Sequence, residues 1–280
     1  MSSTAQHKKE LEKIDEEIVE RTSPPGRVVY EAIYREGQHE LERSNQALAW
    51  SGLAAGLSMG FSFLAEGLLR DYLPNAPWRP AVAKLGYSIG FLIVILGRQQ
   101  LFTKNTLTVI LPLLREKKLR ILVNVARLWL VVLGANVIGA LAVTWVFFHS
   151  NVCTADVKAQ FVGMAAESMQ FNFATNLLRA IFAGWLIALI IWLLPFAESA
   201  HIWIIVFFAY LLGIGHLPHI IAGMMPSFFS VLNGNQSFGE WLTGFFVPVL
   251  IGNAIGGVAV VALVVHAEFI DESGKQVKTK

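Results

Sequence analysis

The sequence predicts an all-α integral membrane protein with six transmembrane helices in two inverted three-helix repeats, the second and fifth spans being broken. Three observations carry that prediction. The chain is 55% hydrophobic and only 15% charged over 280 residues, with a mean hydropathy of +0.55, too apolar for a soluble domain of this size. Apolar runs of about twenty residues, enough to cross a hydrocarbon core of about 30 Å, recur near 45–69, 81–114, 122–148, 169–194, 200–232 and 241–267. Polar stretches interrupt the second and fifth runs: Gly97 to Asn105 (GRQQLFTKN) and Gly215 to Gly223 (GHLPHIIAG).

Residues 7–20 place Leu11, Ile14 and Ile18 at helical spacing among Glu and Lys, the pattern of an amphipathic helix. Pro24 and Pro25 stop it, because the residue before a proline is biased away from helical dihedrals. A second amphipathic piece over roughly 26–43 leads into the first span. The chain thus divides into a leader (1–43), a pore domain (44–268) and a tail (269–280). The leader is charged and lacks an apolar core, so it does not read as a signal peptide.

Arg115, Lys117, Lys118 and Arg120 fill the loop after the second span, and Lys275, Lys278 and Lys280 follow the sixth. The loops expected on the other side carry Arg70, Arg79, Lys84 and Lys158. The positive-inside rule therefore places both termini in the cytoplasm. The third span contains Asn136 and Gly139 and the sixth Asn253 and Gly256, an Asn-x-x-Gly helix closing each half. Three spans per half is odd, so the second half sits inverted. The glycines permit close helix approach, and the two asparagines read as interhelical hydrogen-bonding groups.

Backbone that leaves a helix at membrane depth survives only where it is buried in protein or lines a watery cavity. Broken helices at corresponding places in two halves mark a transport pathway near the midplane. Within the second break His219 follows Pro218, which removes a backbone donor. An ionisable group at that depth is a functional-site hypothesis by default, and histidine suits weak-acid chemistry. Lone Cys153 reads as a tolerated loop residue.

GRQQLFTKN resembles the Leu-Phe-Thr loop that interrupts the second span of the formate/nitrite transporter family, and HIIAGMMP resembles that family's His-centred break. FATNLLRAIFAGWL and GNAIGG resemble its fourth-span and sixth-span signatures. The resemblance runs from about residue 27 to 267, and the basic, glutamine-rich loop is more similar to the YfdC-like branch than to dedicated formate or nitrite channels. It implies a homopentamer of aquaporin-like protomers in a bacterial inner membrane, each with its own pore for small monovalent anions or their acids. It also implies roles: His219 at the centre, Leu101 and Phe102 as an apolar slit, Thr103 as the hydroxyl facing the histidine, and Asn176 as the fourth-span amide.

Departures from the family are Gln100 in place of an acidic residue, the flanking cations Arg98 and Lys104, Gly223 in place of asparagine, and Arg179 three residues after Asn176. The cations either hold anions or pair with Glu66, Glu167 or loop carbonyls. His216 matches no family position and reads as structural or vestibule-facing. The vestibule lysine has no clear counterpart: Lys158 is near, but a gapless alignment reaches Gln160.

The expected function is a pH-dependent channel or transporter for formate-like monocarboxylates or nitrite, proton-coupled through His219. The alternatives are a neutral-solute channel, which the lack of paired Asn-Pro-Ala motifs disfavours, and a non-conducting sensor or assembly partner with a plugged pore. No metalloprotease, serine-hydrolase or phosphate-loop motif is present, which excludes those enzyme classes. No metal, cofactor or nucleic-acid partner is expected.

Overall fold

The computed structural model describes residues 25–262, so the expected helix over 7–20, the end of the sixth span and the tail lie outside it. Every regular element among the described residues is helical. Five segments are long and apolar enough to cross a membrane: α2 (Asn45–Tyr72), α3 (Arg79–Leu96), α6 (Leu119–His149), α8 (Phe173–Leu193) and α11 (Phe238–Ala259). Shorter helices fill the intervals: α1 (Gly26–Glu42), α4 (Asn105–Thr108), α5 (Ile110–Glu116), α7 (Ala155–Ser168), α9 (His201–Ile214) and α10 (Met224–Leu232). The fifth run thus divides into the 14-residue α9, the break, and α10. At 1.5 Å per residue α9 is about 21 Å long, short of a hydrocarbon core.

Side chains fix where several helices begin. Ser44 accepts from the Ala47 N–H, Thr154 from Val157 and Asn172 from Thr175, each satisfying a donor that the first turn leaves free. Ser237 and Glu240 form a reciprocal capping box at the start of α11. The sequence reading missed α7 and started the fourth span at 169; the Asn172 cap delays it to Phe173.

Two helix pairs form the frame. α2 crosses α6 so closely that a methyl on Gly56 would strike the Asn136 carbonyl, and one on Gly139 would meet the Leu53 carbonyl at 2.6 Å. α8 and α11 repeat the arrangement: a methyl on Gly184 would strike the Asn253 carbonyl, and one on Gly256 the Ile181 carbonyl. Small residues serve this purpose in membrane bundles, where dispersion contacts replace a hydrophobic drive. Outward faces carry large apolar side chains such as Trp50, Leu130, Ile138, Trp203 and Phe207. Such a surface suits lipid or a second copy rather than water.

α1 docks on one end of the bundle. Its Glu31 accepts from Arg115 at 2.8 Å, and Tyr34 and Gln38 donate to Glu116 at 3.1 and 3.3 Å. Arg127 donates to the Leu41 carbonyl at 2.7 Å and holds the helix's end. Burial alone would raise the Glu31 carboxyl, but Arg115 and Arg35 outweigh it and hold the group below its ordinary range.

Arg70 and Lys84, counted as loop cations from sequence, lie inside helical segments. Arg70 donates to Glu66 (2.8 Å) and Glu167 (2.6 Å), and Lys84 meets Glu66 at 2.6 Å. Each cation is enclosed with a carboxylate, so its orienting force is largely neutralised. Lys158 caps the end of α6 by donating to the Phe148 and Ser150 carbonyls. Cys153 is buried, and that burial pushes its thiol above the ordinary range, as fits an inert packing residue.

Candidate functional site

The helical backbone is left at Gly97 and resumed at Asn105, and left again at Gly215 and resumed at Met224. Each departure runs through a residue with positive φ, Arg98 and His216, both at 49°. The freed backbone groups are then met by asparagine. Asn136 donates to the Gly52 and Gln100 carbonyls at 2.7 and 2.8 Å and accepts from the Phe102 N–H at 2.9 Å. Asn253 donates to the Ala180 and Pro218 carbonyls at 2.8 and 3.0 Å and accepts from the Ile220 N–H at 2.8 Å. Each asparagine thus ties one break to a neighbouring helix, supplying partners that hydrocarbon cannot.

This tethering brings the breaks together. His219, fully buried, has its Nε2 2.6 Å from Oγ1 of Thr103 on the first break. Its Nδ1 accepts from the Ala222 N–H at 3.1 Å. An accepting Nδ1 fits the neutral tautomer with its proton on Nε2, so the ring donates to the Thr103 hydroxyl. The edge of Phe91 packs at 5.0 Å on the same ring. Thr103 is itself fixed, its carbonyl accepting from Thr106 Oγ1 at 2.7 Å.

Leu101 and Phe102 are buried beside this pair, and Phe102 packs edge-on against Trp129 at 5.5 Å. Gln100 is buried too: its N–H donates to Ser51 Oγ at 3.1 Å, and its Oε1 accepts from Asn105 at 2.9 Å. The Gln100 Nε2 has no partner among the described residues.

The remaining sequence candidates lie around this centre. Lys104 donates to Glu36 of α1 at 2.6 Å with Glu40 at 4.0 Å, rather than to Glu66 or Glu167. Arg179 donates to the Gly215 and His216 carbonyls at 3.1 and 3.2 Å and lies over the Phe171 ring at 4.0 Å. It therefore braces the second break. The Asn176 amide is taken by the Gly244 and Phe171 carbonyls at 2.7 and 3.2 Å. Arg98 is exposed and makes no side-chain bond among the described residues.

A cavity lies on either side of the centre. One of about 740 Å³ sits under α1, lined by Glu36, Arg43, Arg98, Gln99, Leu101 and Lys104 among others. The other, about 80 Å³, is lined by Glu66, Lys84, Asn176, His216, Pro218 and Phe245 among others. Sequence reasoning missed the ion-pair network beside this second cavity. Its only signal was Glu66 and Arg70 four residues apart within an apolar run. Among the described residues, no three His, Cys, Asp or Glu side chains converge to hold a metal ion. The arrangement offers a hydroxyl and an imidazole N–H to a small polar solute, between apolar walls.

The family model described as formate/nitrite transporter matches residues 27–267. The chain is 35% identical over 252 residues to the inner membrane protein YfdC of Escherichia coli (strain K12), covering 90% of this chain and 81% of that protein. It is 26% identical over 248 residues to the formate channel BtFdhC of Bacillus thuringiensis, covering 85% and 93%. Among solved structures, a pentameric formate channel with formate bound superposes with a TM-score of 0.69 at 16% identity, over 81% of this chain and 100% of that one. That last likeness speaks to the fold.

Proposed function

This chain belongs to the formate/nitrite transporter family, and on that premise we propose that it is a channel or transporter for small monovalent weak-acid anions of the formate and nitrite kind. One observation supports the reading above the others: the 2.6 Å contact of His219 with Thr103, made between two helix breaks and flanked by buried Leu101 and Phe102. An anion arriving there meets the Thr103 hydroxyl in a site with little water. A proton arriving with it displaces the Ala222 N–H from Nδ1 and makes His219 an imidazolium, which gives one proton to the carboxylate and returns to the neutral ring. The neutral acid then crosses the apolar slit, where a bare anion would lose its hydration without compensation. The coupled species is one anion with one proton.

The finer architecture follows the same reading: six spans in two inverted repeats, with the protomer built like an aquaporin. The matched bonding of Asn136 and Asn253 supports this. A homopentamer is proposed from the likeness to a pentameric channel, and a multi-pass inner-membrane location from the Escherichia coli relative. The basic residues around Arg115 favour cytoplasmic termini.

A second reading, a closed or non-conducting member, is favoured by the Lys104–Glu36 pair, which ties the first break to α1. Uptake of labelled formate into liposomes holding the purified protein, with nitrite and acetate as competitors, separates the two. Protein-dependent uptake inhibited by nitrite supports the pore. No uptake from either side selects the closed reading.

A further inference from the structure

Arg98 and His216 occupy equivalent corners. At the first, the N–H groups of Gly97, Arg98 and Gln99 donate to Ile93, Ile95 and Val94; at the second, those of Gly215, His216 and Leu217 donate to Leu211, Gly213 and Leu212. The three spacings agree and so does φ, 49° at both. A left-handed corner is cheapest for glycine and tolerable for asparagine or histidine, and a long side chain such as arginine there costs conformational energy. Both corners nonetheless carry a nitrogen-rich side chain. Each lines the cavity on its own side of His219, Arg98 the larger one under α1 and His216 the smaller one opposite.

The other cations at these mouths are occupied. Under α1, Lys104 is paired with Glu36 and Arg43 with Glu40. Opposite, Lys84 and Arg70 are paired with Glu66 and Glu167, while Arg179 donates to the two corner carbonyls. Arg98 retains its full donor set among the described residues. We propose that Arg98 and His216 are twin capture sites for a small monovalent oxyanion, one at each mouth of the pathway. This deepens the transport reading and rests on it. The guanidinium binds the anion's oxygens as it enters or leaves under α1, and the imidazole N–H does the same on the opposite face.

Arg98→Gly and His216→Asn test the idea without threatening the fold, since both substitutes suit a left-handed corner. The expected result is that Arg98→Gly raises the half-saturating formate concentration about five- to tenfold when formate is supplied from the α1 side and leaves the other side unchanged. His216→Asn does the converse, and Arg98→Lys retains most of the parent affinity. The ligand-free Tm of Arg98→Gly stays equal to or above the parent's, which a structural arginine would not allow. A parallel arm needs no conduction: formate raises the parent's Tm, and that rise shrinks in each variant. If the parent proves non-conducting, the transport reading falls and this binding arm alone decides the capture sites. Parent-like half-saturation from the α1 side, a parent-like formate-induced rise, or a lowered ligand-free Tm in Arg98→Gly overturns the proposal.

Discussion

His219 Nε2 and Thr103 Oγ1 are 2.6 Å apart although 116 positions separate them in the chain. The bond joins two helix breaks whose backbone groups need partners from neighbouring helices, and it puts the one buried imidazole among the described residues next to a hydroxyl rather than a carboxylate.

Replacing Thr103 by valine keeps the shape and removes the acceptor. The buried Nε2–H is then left without a partner, at a cost of about 1–3 kcal/mol. A lowered Tm and a loss of formate flux are expected, with Thr103→Ser close to the parent in both. Flux of Thr103→Val equal to that of Thr103→Ser would remove the hydroxyl from the pathway.

Asn136 and Asn253 each make three bonds to the backbone of a break and a neighbouring helix. Leucine at either position leaves several buried backbone groups unpaired, each worth about 1–3 kcal/mol. Either variant is expected to melt far below the parent, and the double variant not to assemble, as read by size-exclusion chromatography in detergent.

The Glu66, Arg70, Lys84 and Glu167 cluster lies at one mouth, Glu66 buried and Glu167 at its open edge. Arg70→Leu leaves Glu66 to Lys84 alone and Glu167 with no cation nearer than 3.9 Å, and breaking a buried pair from one side costs up to about 3–5 kcal/mol. Thermal melts should place this variant well below Glu167→Gln, whose carboxylate is partly exposed. Equal melting of the two would mean that solvent already screens the cluster.

Lys104 and Glu36 link the first break to α1, but the Glu36 side chain is 42% exposed. Screening limits such a pair to below about 1 kcal/mol, so Glu36→Gln should leave the Tm within a degree or two. Its effect belongs in transport: a faster formate flux is expected as the break loosens. Unchanged flux would show that the tie does not restrain the pathway.

α1 docks through Glu31, whose carboxyl is held below its ordinary range, with burial opposing and Arg115 and Arg35 prevailing. Because the folded value is depressed, this contact is present above the unfolded value, about 4.3, and is lost only as pH falls through the lower folded value. Hydrogen-exchange protection factors in α1, taken relative to the intrinsic rate at each pH, should therefore be the same at pH 7.5 and pH 5. Release of α1 across that interval would be a competing source of any pH-dependent flux.

How legible all this was in sequence differs by element. The breaks at Gly97 and Gly215 stood out because polar runs inside apolar ones have no cheap alternative explanation. Leu101, Phe102, Thr103 and His219 followed from the likeness of two short motifs. The roles of Asn136 and Asn253 were legible only as polar glue, because their partners are backbone carbonyls remote in the chain. Arg70 and Lys84 were misplaced into loops since a charge near a span's end looks alike whether solvated or paired. α7 escaped because it is a short helix of mixed composition. The matched corners at Arg98 and His216 were invisible, as no residue pattern announces a positive φ on arginine or histidine.

The central claim is that His219 handles the proton that accompanies the anion, and its most direct test is the initial rate of labelled formate uptake into liposomes for the parent and His219→Asn. External pH of about 5 and about 7.5 brackets the ordinary histidine value of about 6.5. The account predicts faster uptake at acid pH in the parent, and uptake lost or insensitive to pH in an asparagine variant that still elutes with the parent's assembly. Parent-like rates and an unchanged pH profile in that variant would contradict it.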